Sequence, residues 1–159
     1  MVDATTEPAT QLLYLDELHV GQRFTSGEES LDEQAITEFA RRFDPQPFHL
    51  DPGVAKRSLF GGLAASGWHT AAITMRLNVR GGLPIAGGIV GLGGELSWPK
   101  PTRPGDVLHV ESEIVEVSPS RSRPDRGTVT VRSETRNQNG DVVQMATMKL
   151  LVPRRSSEK

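Results

Sequence analysis

Apolar residues recur at helical spacing over residues 30–43. Leu31, Ala35, Ile36, Phe39, Ala40 and Phe43 share one stripe, which predicts an amphipathic helix. Ser30 or Asp32 can cap it, and Glu33 stands three after Ser30, as a capping box requires. Pro45 stops it. A second long helix is predicted over residues 67–79, where Ala71, Ala72 and Thr74 are small enough for a sheet to approach closely, and Gly81-Gly82-Leu83-Pro84 ends it. Between the two, residues 51–59 read as a short helix with Asp51 as N-cap and Pro52 in its first turn. Downstream the period changes to two. Residues 88–98 are glycine-rich and extended, and 106–117 are rich in branched side chains. Residues 128–138 alternate, with Val129, Val131, Ser133 and Thr135 on one side. Asn139-Gly140 is a strong hairpin signal, with residues 142–152 as the return strand. One earlier strand is predicted over residues 23–30.

The order is one strand, a block of helices, then a meander of about four strands. Grouped helices and grouped strands predict an α+β fold with a helix packed on an antiparallel sheet. One domain is expected over residues 12–152, with a loose, flexible tail at 1–11, a loose, charged tail at 153–159 and a polar, arginine-bearing loop at 118–127.

Composition narrows the function classes. The 159 residues suffice for one real core, and the net charge of −2 provides no general attraction to nucleic acid or anionic membrane. The absence of cysteine excludes disulfides and thiolate chemistry. The N-terminus lacks the basic and apolar regions of a secretory signal, and no apolar run is long enough to span a bilayer, so a cytoplasmic location is expected. The four histidines, His19, His49, His69 and His109, show no metal-ligand spacing.

The most informative stretch is Asp44-Pro45-Gln46-Pro47-Phe48-His49-Leu50-Asp51-Pro52. It sets a carboxylate and an imidazole five residues apart on an extended, proline-kinked segment that can aim both at one water. Spacing alone leaves two readings open. Asp44 and His49 are an acid–base pair, or Asp44 is a turn residue bonding local backbone and His49 a buried imidazole bonded to a carbonyl.

The same stretch resembles the Asp-x-Asn-Pro-x-His-x-Asp-Pro pattern of the MaoC-like dehydratases, the hot-dog-fold family that includes the R-specific enoyl-CoA hydratases. Ala55, Phe60, Ala64-Ala65-Ser66-Gly67, Trp98-Pro99-Lys100-Pro101 and Pro104-Gly105-Asp106 continue the resemblance in order, over nearly the whole chain. It departs at Gln46, where Asn is usual in the family, and at Ser66. The resemblance implies a curled antiparallel sheet wrapped around a long central helix. It implies a hydro-lyase that adds or removes water across the α,β bond of an acyl thioester. Asp44 and His49 would activate the water, and the Gly67 N–H at a helix start would receive the thioester oxyanion. Gln46, Phe48, Phe60, Ser66 and His69 would line the substrate site. No metal or redox cofactor is expected, coenzyme A or an acyl carrier being part of the substrate.

Arg121, Arg123 and Arg126 form a basic cluster that is either a solvated loop or, like Lys100 and Arg103, an attractor for carrier phosphates. A homodimer or dimer of dimers is expected, with neither nucleic acid nor membrane as partner. Two other functions stay in view. A thioesterase of the same fold needs a carboxylate on or near the central helix, and residues 60–90 contain no Asp or Glu. A non-catalytic acyl-thioester-binding or assembly subunit is kept open by Gln46 and Ser66.

Overall fold

A computed structural model describes residues 11–156; residues 1–10 and 157–159, and with them most of the expected N-terminal tail and the end of the C-terminal one, lie outside the described residues. The strands are β1 (Arg23–Thr25), β2 (Glu29–Ser30), β3 (Val90–Ser97), β4 (Val107–Pro119), β5 (Arg126–Arg136) and β6 (Val142–Pro153). They form one six-stranded antiparallel sheet in the order β1-β4-β5-β6-β3, with β2 also paired to β4. The helices are α1 (Glu33–Phe43), α2 (Pro47–Leu50), α3 (Pro52–Lys56) and α4 (Gly67–Leu77). Helix α4 crosses one face of the sheet and contacts both β4 and β6. This is the α+β, helix-on-sheet architecture of the hot-dog fold.

The period-two reading of β5 holds. Val129, Val131, Ser133 and Thr135 are all buried. The Asn139-Gly140 turn joins β5 to β6, and Gly140 takes a φ of 78°, open to glycine at little cost. The expected strand over 23–30 is instead two short strands. Thr25 pairs with Glu111 and Glu29 with Leu108, so four steps on one strand oppose three on the other. Ser26 bridges the mismatch. Its N–H donates to the Val110 carbonyl, and its hydroxyl oxygen accepts from the Val110 N–H at 2.8 Å. A side chain thus takes the place of a backbone acceptor and the strand bulges.

Helix α1 is capped by Asp32, whose Oδ1 accepts from the Ala35 N–H at 2.8 Å; Ser30, the alternative cap, is taken into β2 opposite Val107. Its apolar stripe delivers Leu31, Ile36 and, from α4, Ile73 and Leu77 onto Leu108 and Val110 of β4. Burying each such aliphatic side chain stabilises the fold by about 1.5–3 kcal/mol. A second cluster, with Leu15, Ile114, Val129 and Val152, fills the other end of the sheet.

Two expectations are corrected at the termini of elements. The segment after Asp44 is not simply extended, because Pro47 starts a single helical turn, α2, closed by the Asp51 N–H on the Pro47 carbonyl at 3.0 Å. Proline's fixed φ suits a first helical position, where its missing N–H costs nothing. Residues 153–155 are not a loose tail. Pro153 belongs to β6, the Arg154 N–H donates to the Asp125 carbonyl, and Arg155 pairs with Glu17 while lying 4.6 Å above the Tyr14 ring. Among the described residues no helix is long and apolar enough to cross a membrane.

Candidate active site

Three short elements converge at the N-terminus of α4. Helix α1 ends at Asp44, α2 carries His49 one turn later, and the loop before α4 returns past both. Phe48 packs onto the core cluster under α1, which fixes the rotation of α2. That rotation sends the adjacent His49 inward, where it is buried. His49 Nδ1 lies 2.6 Å from the Ala64 carbonyl oxygen, which can only accept, so the proton is on Nδ1. Nε2 then faces the Asp44 Oδ2 at 3.3 Å. A neutral ring presents a lone pair there to a carboxylate lone pair. Two acceptors at this distance need a donor between or beside them, and a water that donates one proton to each satisfies both.

The Asp44 carboxyl is held from two other sides. Gln46 Nε2 donates to Oδ1 at 2.6 Å, and the Ser66 hydroxyl donates toward the same carboxyl. Burial alone would raise the Asp44 pKa. The hydrogen bonds from Ser66 and Gln46 and the nearness of His49 outweigh it and hold the carboxyl below its ordinary value. Asp44 is therefore an anion at neutral pH.

Ser66 caps α4. Its hydroxyl accepts from the Trp68 N–H at 3.2 Å, and its carbonyl accepts from the N–H groups of His69 and Thr70. Among the described residues nothing accepts from the Gly67 N–H, the first of the helix, so it is left free at the positive end of the helix dipole. Gly67 is required here by crowding. A Cβ would stand 2.7 Å from Cε2 of the Trp98 indole, a rigid ring that cannot yield.

Around these groups lies a cleft of about 540 Å³, lined by Asp44, Gln46, Phe48, His49, Phe60 and Gly67 together with Trp68, Trp98 and the chain from Pro99 to Thr102. Six of the eight expected site residues thus share one wall-to-wall space. Ser66 is fully buried behind it, within reach of Asp44.

His69 is the exception. It points to the opposite side of α4, stacks flat on Phe39 with ring centroids 4.6 Å apart, and does not line the cleft. Three residues past Ser66 is most of a helical turn, but the apolar ring of Phe39 on α1 draws the imidazole the other way. Burial, and then the positive charge of Arg76, lowers its pKa.

The basic candidates separate too. Arg103 donates to the carbonyls of Phe60, Gly62 and Leu63, so its guanidinium shapes the 60–63 loop. Lys100 lines the cleft and pairs with Asp141 at 2.9 Å. Arg121, Arg123 and Arg126 stand at the far end of β5 from that pair, away from the cleft. Among the described residues no three His, Asp or Glu side chains gather as metal ligands would. Trp98, which the sequence marks only through the family resemblance and not as a site residue, lines the cleft, and the buried Gln144, which nothing in the sequence pattern marks, accepts from its indole N–H at 2.9 Å. Their 46-residue separation leaves no local signal, although a buried-face glutamine in an apolar strand is a cue that a polar partner exists.

A hot-dog fold with an Asp–His pair sharing one cleft with a helix N-terminus defines the class to which this site belongs. A family model described as a MaoC like domain matches residues 17–137, and the chain belongs to the MaoC-like dehydratase family. The MaoC-like dehydratase from Rhodospirillum rubrum is 61% identical, with a TM-score of 0.90, over 91% of this chain and 99% of that one. The R-hydratase PhaJ1 from Pseudomonas aeruginosa is 28% identical, with a TM-score of 0.71, over 94% and 95% of the two chains. The 3-hydroxybutyryl-CoA dehydratase of Methylorubrum extorquens is 31% identical over 117 residues, 73% of each chain.

Proposed function

We propose that the protein is an acyl-thioester hydro-lyase of the enoyl-CoA hydratase or 3-hydroxyacyl-CoA dehydratase type. The observation that carries this reading is the 3.3 Å approach of Asp44 to His49 Nε2 in the same cleft as the free Gly67 N–H. In the hydration direction a water donates one proton to each member of the pair. One of them takes its proton as its oxygen bonds to Cβ of the conjugated thioester. The π electrons move onto the thioester oxygen, where the Gly67 N–H and the helix dipole stabilise the developing charge. With the other member assisting, the proton taken from the water is then delivered to Cα, so the sum is one water added across the double bond. Dehydration runs the same steps in reverse. No electrons are exchanged, so the reaction calls for no redox cofactor, and coenzyme A or an acyl carrier enters as part of the substrate.

The names of the similar hydratases and dehydratases support the reaction class. The expected pairing of chains also fits this reading. Among the described residues strand β3 is an unpaired sheet edge on which Val90, Leu92 and Leu96 are exposed, and such an edge invites pairing with a second copy. Sedimentation should give a dimer or an even multiple.

Incubation with crotonyl-CoA tests the chemistry. Loss of the conjugated-thioester absorbance without release of free thiol is the expected result. Thiol release would replace the reading with a thioesterase, and neither signal would leave a binding subunit.

A further inference from the structure

Two cavities lie along α4, one turn apart, and one hydrogen bond links a side chain lining the first to a side chain lining the second. The first is the cleft already described, into which Gly67, Trp68 and Thr70 face. The second, of about 150 Å³, lies between the next turns of α4 and the sheet, and is lined by Ala71, Met75, Leu96, Ala146, Met148 and Leu150 among others. Trp98 lines the first cavity and Gln144 the second, and the indole N–H of one donates to the amide oxygen of the other at 2.9 Å. Gln144 is 2% exposed, and its amide nitrogen donates in turn to the Thr74 hydroxyl at 3.3 Å. Thr74 shares a further hydrogen bond of 2.7 Å with Thr135 of β5. A buried amide with both ends bonded is costly to move, because each lost partner leaves an unsatisfied polar group. The indole is therefore held in one rotamer, flat against Gly67 and edge-on to Trp68, with ring centroids 5.4 Å apart.

We propose that Trp98, locked by Gln144, is the wall that restricts this site to short acyl groups, and that the apolar cavity behind it takes a longer tail only when the wall is removed. This rests on reading the cleft as an acyl-thioester site. A thioester whose oxygen meets the Gly67 N–H has its acyl carbons beside the indole. A four-carbon chain can end at the ring. A chain several methylenes longer must displace it, and the space beyond is lined by the aliphatic and thioether side chains that such a tail prefers.

Calorimetry with saturated butyryl-CoA and octanoyl-CoA tests the wall without depending on turnover. The wild-type protein should bind butyryl-CoA about tenfold or more tightly than octanoyl-CoA. Trp98→Ala should raise octanoyl-CoA affinity by about tenfold and give no gain for butyryl-CoA, which loses its contact with the ring. Adding Ala71→Phe, which fills the rear cavity, should cancel that gain. Equal binding of both ligands by the wild type, binding of neither, or a Trp98→Ala change that moves both alike would overturn the proposal. Should Trp98→Ala not fold, Gln144→Leu frees the ring. A smaller shift in the same direction is expected, and none would overturn the proposal. Crotonyl-CoA turnover is measured alongside. A chain-length preference without turnover defeats the hydratase reading and leaves the wall standing, whereas turnover with no effect of Trp98 does the reverse.

Discussion

Helix α4 has a buried histidine on each side, and the two sides are chemically unlike. His49 has one nitrogen bonded to the Ala64 carbonyl and the other aimed at an anionic Asp44. His69 lies flat on Phe39, has a buried Nδ1 without a partner among the described residues, and faces the Arg76 charge. The cleft beside His69 is the larger, at about 680 Å³ against about 540 Å³. Yet among the described residues it holds no carboxylate paired with an imidazole and no free helix N-terminus. Space and a buried imidazole do not make a proton-transfer site. The site proposed on the other side adds a fixed tautomer, a carboxylate kept ionised by its neighbours and a helix N–H placed to receive developing charge.

The sharpest break between the two sides should come from their acid–base groups. Asp44→Ala and His49→Ala should each lower the rate of crotonyl-CoA hydration by about 10²–10⁴-fold, whereas His69→Leu should change it by no more than about threefold. Wild-type rates in both Asp44→Ala and His49→Ala would end the assignment. Next, Gly67→Ala drives a methyl group into the Trp98 ring and displaces the proposed oxyanion donor, with an expected loss of about 10²-fold in kcat. Trp98→Ala in the same chain should recover part of that loss, since the clash is with the indole.

A smaller effect is expected behind the carboxylate. Ser66→Ala removes one of the hydrogen bonds that favour the Asp44 anion, so its pKa rises and the acid limb of the pH–rate profile moves to higher pH. An unmoved limb would show that Ser66 acts only as a helix cap. The smallest effect belongs to His69 and is read in stability. Its folded pKa lies below the ordinary histidine value, so the unfolded chain binds the proton first. Stability from this group is complete above the unfolded pKa, about 6.5, and is lost as pH falls through the folded value. Thermal melts should show that His69→Leu flattens this acid-side decline, while leaving crotonyl-CoA turnover in place.

Much of the fold was legible because local pattern and tertiary need agree. The α1 stripe, the alternation of β5 and the Asn139-Gly140 turn each satisfy a nearby geometric rule that the final packing reinforces. The misreadings arose where a distant group took over a local one. Ser26 interrupts the first strand by bonding across to Val110 of β4. Arg154 and Arg155 look like a solvated tail until Asp16 and Glu17, far away in sequence, receive them. In the site, Asp44, His49 and Gly67 could be paired from motif and helix start. Gln46, which stood out as a departure from the family pattern, turns out to donate directly to Asp44. The direction of His69 could not be read, because helical spacing places a residue on a face but does not say which neighbour's ring it meets.

The sequence by itself determined the α+β class, the positions of the long elements and the short list of groups able to move a proton. These follow from periodicity, caps and side-chain chemistry, which act over a few residues. Only the tertiary structure decided that His49 keeps its proton on Nδ1, that Asp44 stays ionised, and that Gln144 holds Trp98 in the cleft wall. Each of those depends on contacts between segments from 15 to 46 residues apart, from Ala64 on His49 to Gln144 on Trp98. Such contacts form only when the chain excludes water and every buried polar group must find its partner.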